Sequence, residues 1–393
     1  MRADPLAYLS DELDNLRTQG LYRVLRVLDA EQKASTSIDH RSVVNLSSNN
    51  YLGLTTHLRL RERALEATKR LGVGSGSVRT IAGTMRIHMD LEQKLAEFKR
   101  TESAVVFQSG FAANAGTVAA LLGREDVIVS DELNHASIID GARLSRATIK
   151  VFPHRDAAAA RAIVSELPRQ QRTLIISDGV FSMDGDLGVL PELCDLAAEF
   201  GCIMMVDDAH ASGVFGKQGR GTVDHFNLHG RVHVQVGTLS KALGVLGGYV
   251  AGSRALIEFL CHRARPFLFS TSHPPAVAAA CLAAIDVLET EPQWIERLWA
   301  NTHFFKSALK ALGFDIGSSE SPITPVIVGE GGLAMQLSDR LFDQGVFAQG
   351  IGFPTVARGR ARVRTIVTAT HTRDELQFAL DCFGRVGREL GIV

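Results

Sequence analysis

Val232-His233-Val234-Gln235-Val236-Gly237-Thr238-Leu239-Ser240-Lys241-Ala242 sets one lysine just beyond an apolar run, and Leu246-Gly247-Gly248-Tyr249-Val250-Ala251-Gly252 follows as a second run. Both are short, apolar and bounded by small residues, which predicts two buried strands. A lysine held between them is not a surface lysine. Burial strips solvent from the ammonium and lowers its pKa, favouring a neutral amine that forms Schiff bases and moves protons. The ordinary alternative is a lysine that reaches solvent along its own stem. The residues upstream discriminate between the two.

Upstream, strands alternate with helices. Ser103-Ala104-Val105-Val106-Phe107 runs into Gln108-Ser109-Gly110-Phe111, and a helix follows from Ala112 to Leu122. Val127-Ile128-Val129-Ser130 leads into Asp131-Glu132-Leu133-Asn134-His135. Leu174-Ile175-Ile176-Ser177 leads into Asp178-Gly179-Val180-Phe181-Ser182, and Ile203-Met204-Met205-Val206 into Asp207-Asp208-Ala209-His210. Helical stretches, including Pro191 to Phe200, lie between them. This alternation predicts a mostly parallel sheet covered on both faces. Ligands of such sheets gather at the carboxyl ends of strands, where each of these polar clusters sits.

The flanks read differently. Leu6, Leu9, Leu13 and Leu16 form a helical stripe with Gly20 as its stop. Val43 to Leu46 is a short strand, and Leu58 to Leu71 a helix. The glycines of Gly72-Val73-Gly74-Ser75-Gly76-Ser77-Val78-Arg79-Thr80 are spaced G-x-G-x-G after a helix, so they lack the dinucleotide fingerprint and read as a flexible loop on the substrate side. Past Arg265 to Pro275 the rhythm breaks. Helices from Ala276 to Leu288 and from Trp294 to Leu312 lead to a smaller C-terminal domain with strands Thr324–Val328 and Arg362–Val367 and a last helix from Arg373 to Leu390. Arg362 and Arg364, two apart, share one face of their strand. The expected division is an arm over 1–45, a large domain over 46–285 and a small one over 286–393.

Bulk properties narrow the class. A chain of 393 residues exceeds one small core. With 46% hydrophobic and 22% charged residues it has a soluble globular balance, and a net charge of −1 leaves no footprint for nucleic acid or membrane. No signal peptide or spanning segment is read, and five scattered cysteines without C-x-x-C spacing predict reduced thiols and a cytoplasmic setting.

Lys241, Asp207, His210, His135 and the group Ser109, Gly110, Phe111 and Thr238 all fall at predicted strand ends. A carboxylate at Asp207 suits a protonated ring nitrogen, His210 suits a phenolate oxygen, and His135 suits the face of a flat ring. The strand–turn–helix after Phe107 suits an anion. No second His or Cys cluster has metal-ligand spacing, so no metal is expected. Thr238-Leu239-Ser240-Lys241 also has the hydroxyl-x-x-lysine form of penicillin-recognising hydrolases, but their S-D-N and K-T-G partners are missing. The set as a whole meets the needs of pyridoxal phosphate.

The chain resembles the α-oxoamine synthases, fold-type I pyridoxal-phosphate enzymes that join an amino acid to an acyl-CoA. Asn49-Asn50-Tyr51-Leu52-Gly53-Leu54, Asn134 to Gly141, Asp178 to Gly185, Val206 to His210 and Gly237 to Ala242 carry the resemblance, in the family's order. It implies an α/β fold with a large domain built on a mostly parallel seven-stranded sheet and a smaller C-terminal α/β domain. It implies pyridoxal 5'-phosphate bound covalently as a Schiff base to Lys241, which also serves as α-proton base. Asp207 would pair with the ring nitrogen, His210 and Ser182 with the phenolate oxygen, and His135 would stack on the ring. Ser109, Gly110, Phe111 and Thr238 would hold the phosphate, with Ser270 and Thr271 reaching that of a neighbouring subunit in a homodimer with shared sites. Asn50, Ser137 and Arg364 are the implied substrate contacts, and Arg362 is structural.

Within the family, Asn134 to Leu144 and Arg265 to Ser270 suit glycine C-acetyltransferase, which is the expected activity on glycine and acetyl-CoA. Gly350 to Val356 lacks the arginine usual in 8-amino-7-oxononanoate synthases, whereas Thr271-Ser272-His273-Pro274-Pro275 leans toward them. That synthase, acting on L-alanine and pimeloyl-CoA, is the alternative, alone or as a second activity. A catalytically silent dimer partner is a remoter one, opposed by the intact Lys241, Asp207 and His210.

Overall fold

The computed structural model describes residues 4–18, 22 and 24–393, so the expected stop at Gly20 lies outside the described residues. Tyr8–Thr18 is helical and its Leu9, Leu13 and Leu16 are all exposed. Ser35–Ile38 (β1) and Arg41–Asn45 (β2) form an antiparallel pair.

Seven strands build the large sheet: Ser103–Phe107 (β3), Val127–Asp131 (β4), Thr148–Phe152 (β5), Thr173–Asp178 (β6), Ile203–Asp207 (β7), Val234–Thr238 (β8) and Gly248–Gly252 (β9). Their order is β3-β9-β8-β7-β6-β4-β5. β9 runs against both its neighbours, and the remaining pairs are parallel. The carboxyl ends of β3, β4, β6, β7 and β8 therefore share one edge.

Alternate residues of each strand enter opposite cores. Ile128, Leu174, Ile176, Met205 and Val236 pack on one side, and Val127, Val129, Ile175, Met204 and Val206 on the other. That period of two, with both faces buried, is why these strands read as unbroken apolar runs. Each large side chain so buried contributes roughly 1.5–3 kcal/mol. β5 is the exception. It lies at the sheet edge with Ile149 and Val151 exposed, and nothing in the sequence reading marked it.

Ile323–Gly329 (β10), Val346–Phe347 (β11), Gln349–Ile351 (β12) and Ala361–Ile366 (β13) complete the strands. β10, β13 and β12 form an antiparallel sheet, while β11 pairs in parallel with β2. The N-terminal arm is thus joined to residues 300 positions later. Val44 N–H donates to the Gly345 carbonyl at 2.8 Å and Ile366 N–H to the Leu46 carbonyl at 2.7 Å. Helix Pro275–Thr290 straddles the expected boundary at 285 and shares one core with helix Leu58–Leu71. Among the described residues no helix is long and apolar enough to cross a membrane.

Candidate active site

Lys241 lies in the turn between β8 and β9. A Cβ at Gly237 would fall 2.4 Å from the Tyr249 ring, so only glycine lets these strands close. The turn is pinned by Leu239 N–H on the Gly247 carbonyl and Val245 N–H on the Leu239 carbonyl, each at 2.9 Å. Lys241 is half-buried, and the desolvation of its amine lowers its pKa from 10.5 to about 8, while the charges of Asp207 and Asp178 pull the other way. About a tenth of the amine is then neutral at pH 7.

β6 and β7 set Asp178 directly beside Asp207. Burial first, and the Asp207 charge second, drive Asp178 well above the ordinary carboxyl pKa, toward its neutral form. The buried Asp207 carboxylate accepts from Ala209 N–H at 2.8 Å and from Asn114 Nδ2 at 2.6 Å. Asn114 comes from helix Gly110–Leu121 and also donates to Ser137 Oγ at 2.9 Å. Ser137 in turn meets His135 Nδ1 at 2.7 Å. His135 caps helix Ala136–Ser145, its own N–H donating to Asp178 Oδ2 at 2.8 Å. Desolvation lowers its pKa, with Asp207 raising it and Lys241 lowering it. The hydroxyl of Ser137, expected at the substrate, is used inside this chain of contacts.

His210 is buried, and burial together with the positive charges of Lys241 and Arg364 keeps its pKa well below 6.5. Its Nδ1 lies 2.7 Å from the Tyr51 hydroxyl. A neutral ring accepting there carries its proton on Nε2, which makes it a donor. Tyr51 is fully buried, and burial raises its pKa, so it stays a phenol. Arg364 on β13 donates through Nη2 to Asn49 Oδ1 at 3.2 Å, while its buried Nε has no hydrogen-bond partner. Burial lowers the Arg364 pKa. Arg362 instead binds Asp184 at 2.7 Å and the Met183 carbonyl at 2.9 Å, tying β13 to the turn after β6.

Ser109 caps helix Gly110–Leu121, its Oγ accepting from Ala112 N–H at 3.0 Å. The first intrahelical donor is Ala113, so the N–H groups of Gly110 and Phe111 point out of the helix start. Gly110 lies against Thr238, where a Cβ would come within 3.4 Å of the Thr238 Cβ. The Thr238 hydroxyl donates to the Gly247 carbonyl at 2.8 Å and meets Ser240 Oγ at 2.6 Å. Ser182 is half-buried in the loop after β6. Ser270 and Thr271 sit on a segment held by Gln108 Nε2 on the Thr271 carbonyl, at 2.8 Å, and by pairing of Thr271 with Val78. The glycine-rich loop is thereby anchored: Ser75 Oγ bonds the Ser272 carbonyl at 3.0 Å and Arg79 pairs with the buried Glu92 at 2.7 Å.

Asn50 is placed differently from the expectation. Its amide is buried and donates to Thr55 Oγ1 at 2.7 Å and to the Gln32 carbonyl at 3.3 Å, which closes a turn. Its neighbours Asn49 and Tyr51 face Arg364 and His210 instead. Asn49, Tyr51, Asp178 and Asn114 were not singled out by sequence. The first three lie inside quoted motifs, whereas Asn114 sits in an otherwise small and apolar helix and gives no signal.

A reactive amine, a buried carboxylate, a neutral imidazole donor and a capped helix start thus share one edge of the sheet. This donor set fits pyridoxal phosphate, each group matching one functional part of it. Residues 41–383 match the family Aminotransferase class I and II. The chain is 62% identical to 8-amino-7-oxononanoate synthase of Symbiobacterium thermophilum, over 98% of this chain and 99% of that one. It is 53% identical to 8-amino-7-oxononanoate synthase 1 of Bacillus subtilis, over 98% of each. Serine palmitoyltransferase of S. paucimobilis, solved with a bound PLP–myriocin aldimine, superposes with a TM-score of 0.94 at 31% identity, over 99% of this chain and 100% of that one. The chain belongs to the aminotransferase class I and II family, as a fold-type I, pyridoxal-phosphate-dependent α-oxoamine synthase.

Proposed function

We propose that this enzyme is an 8-amino-7-oxononanoate synthase, joining L-alanine to pimeloyl-CoA with loss of carbon dioxide and release of CoA. The observation that carries this is the 62% identity, along nearly the whole of both chains, with a protein of that name. It reverses the order suggested by sequence motifs, which placed glycine C-acetyltransferase first. The misleading motifs have a physical explanation. Asn134 to Leu144 builds a helix cap and its buried hydrogen bonds, and Arg265–Leu268 is a short helix whose Phe267 packs on Phe107. Both motifs are explained by the large sheet, its helices and the cofactor side of the site, so neither reports on the acyl group.

Pyridoxal phosphate, when bound, supplies an aldehyde for amines and a ring that accepts electrons. Lys241 supplies the amine and, as a base with a pKa near neutrality, takes the α-proton of the amino acid. Asp207 holds a proton on the ring nitrogen. His210, through Nε2, and Ser182 would donate to the ring oxygen, and His135 would cover the ring face. Ser109, Gly110, Phe111 and Thr238 take the phosphate at a positive helix start. Arg364 offers its guanidinium to the substrate carboxylate, a task suited to its planar fork. Ser270 and Thr271 serve the site of a second copy in a homodimer. Residues 46–285 then form the cofactor lobe and 286–393, with the arm 1–45, the lobe that brings Arg364.

CoA release by the cofactor-loaded enzyme, with L-alanine plus pimeloyl-CoA against glycine plus acetyl-CoA, tests the reading. Preference for the first pair is expected. Preference for the second would restore the acetyltransferase.

A further inference from the structure

Asn114 has no part in the roles above, yet it is the point where two of them meet. Its side chain is 1% exposed. Its Nδ2 reaches Asp207 Oδ2 at 2.6 Å and Ser137 Oγ at 2.9 Å, while its Oδ1 has no hydrogen-bond partner. A carboxylate only accepts, so the atom facing Asp207 is the amide NH₂, and both its protons are used. Ser137 Oγ, accepting from Asn114, has its own proton left for His135 Nδ1 at 2.7 Å, and Ser137 N–H points at the same nitrogen from 3.3 Å. His135 Nδ1 therefore accepts, and its proton lies on Nε2. Asp207 has one oxygen held by Ala209 N–H and the other by Asn114, which fixes the rotation of the carboxylate.

We infer that Asn114 is a positioning residue: with Ser137 it forms a buried relay that aims the Asp207 carboxylate at the cofactor's ring nitrogen and fixes the tautomer and tilt of His135 over the ring face. The inference rests on the roles proposed above for Asp207 and His135. Its second use of the amide is the telling part. An asparagine serving only as packing would leave that donor to the backbone, whereas here the donor spans two helices and a strand end. Leucine or alanine at 114 would leave the buried Asp207 Oδ2 without this donor and free Ser137 to turn.

The test needs no substrate. The apoprotein is titrated with pyridoxal phosphate and with its 1-deaza analogue, in which a C–H replaces the ring nitrogen, and binding is followed by the absorption of each. The ratio of the two dissociation constants reports the grip on the nitrogen alone. Wild type is expected to prefer pyridoxal phosphate, Asp207→Ala to abolish the preference, and Asn114→Ala to reduce it by about tenfold, the scale of a lost charge-assisted hydrogen bond. A preference lost in Asp207→Ala but intact in Asn114→Ala overturns the relay while leaving the Asp207 role standing. A preference intact in both overturns the Asp207 role first and the relay with it. Equal loss of affinity for both compounds in Asn114→Ala would mean packing only, and also overturns it. The second leg uses cofactor-loaded, ¹⁵N-histidine-labelled protein, with the His135 signals identified by their disappearance in His135→Gln. Wild type should show protonation on Nε2, and Ser137→Ala a shift of the proton toward Nδ1. An unchanged tautomer in Ser137→Ala refutes the relay even if Asn114→Ala does not fold.

Discussion

The pKa of Lys241 makes the capture of cofactor a pH-dependent event with a predictable break. Its fall from 10.5 to about 8 corresponds to about 3 kcal/mol favouring the neutral amine, at 1.36 kcal/mol per pKa unit. Only that form attacks an aldehyde. The rate at which apoprotein captures pyridoxal phosphate should therefore rise about tenfold per pH unit up to about pH 8 and level off above it. Stopped-flow absorption between pH 6 and 10 measures this, and a simple alkylamine run alongside removes the cofactor's own titration. The sign of the neighbours gives a second arm. Asp207 is the largest influence raising the amine's pKa against burial, so Asp207→Asn should move the break below 8. A rate that keeps climbing to pH 10 would show that the amine is solvated after all. A break that moves upward in Asp207→Asn would show that burial and charge have been assigned the wrong balance.

Other outcomes follow from single contacts. Tyr51→Phe removes the donor to the buried His210 Nδ1, and a stranded buried acceptor costs about 1–3 kcal/mol, so kcat/KM for CoA release should drop about five- to 150-fold; less than a twofold drop would exclude the fixed tautomer. Arg364→Ala should raise the KM for the amino acid far more than that for the acyl-CoA in the same assay, and equal rises would place the substrate carboxylate elsewhere. His154 lies 3.0 Å from both Asp131 and Asp186, and they raise its pKa to about 9 despite burial. Because the folded value lies above the unfolded one, its contribution is complete below pH 6.5 and is lost as pH rises toward 9. The melting temperature of the protein should fall across that window, and this part of the fall should vanish in His154→Gln.

The fold was legible because buried parallel strands announce themselves. Strands β3, β4, β6, β7 and β8 were placed to within a residue or two, and helix Leu58–Leu71 to the residue. Edge strand β5 was missed because it is half solvated and lacks the unbroken apolar run. The two-residue β11 and three-residue β12 are too short to carry a pattern, and only distant partners create them. At the site, residues at strand ends were legible because several polar clusters, each following a buried apolar run, fall on one edge of the sheet. Asn114 was not, since a single amide in a helix acquires meaning only from what folds against it. Asn50 shows the converse. A motif identifies the segment that approaches the site, but the backbone decides which of three adjacent side chains faces it.

The joining of β2 to β11 has a consequence for the order in which this enzyme comes into being. Every group that one subunit is proposed to place on its own cofactor, at the ring nitrogen, ring oxygen, ring face, phosphate or aldehyde, lies between residues 109 and 241, while Ser270 and Thr271 are proposed to serve a second copy. Arg364 and the loop after β2 that carries Asn49 and Tyr51 meet only after β11 and β13 exist, more than 300 residues after β2 leaves the ribosome. Contacts of such long sequence separation form late, and chains of this size fold in stages. A nascent chain can thus form its own share of the cofactor cradle while its substrate end is still unmade. An amino acid then finds its anchor, Arg364, only on a finished chain.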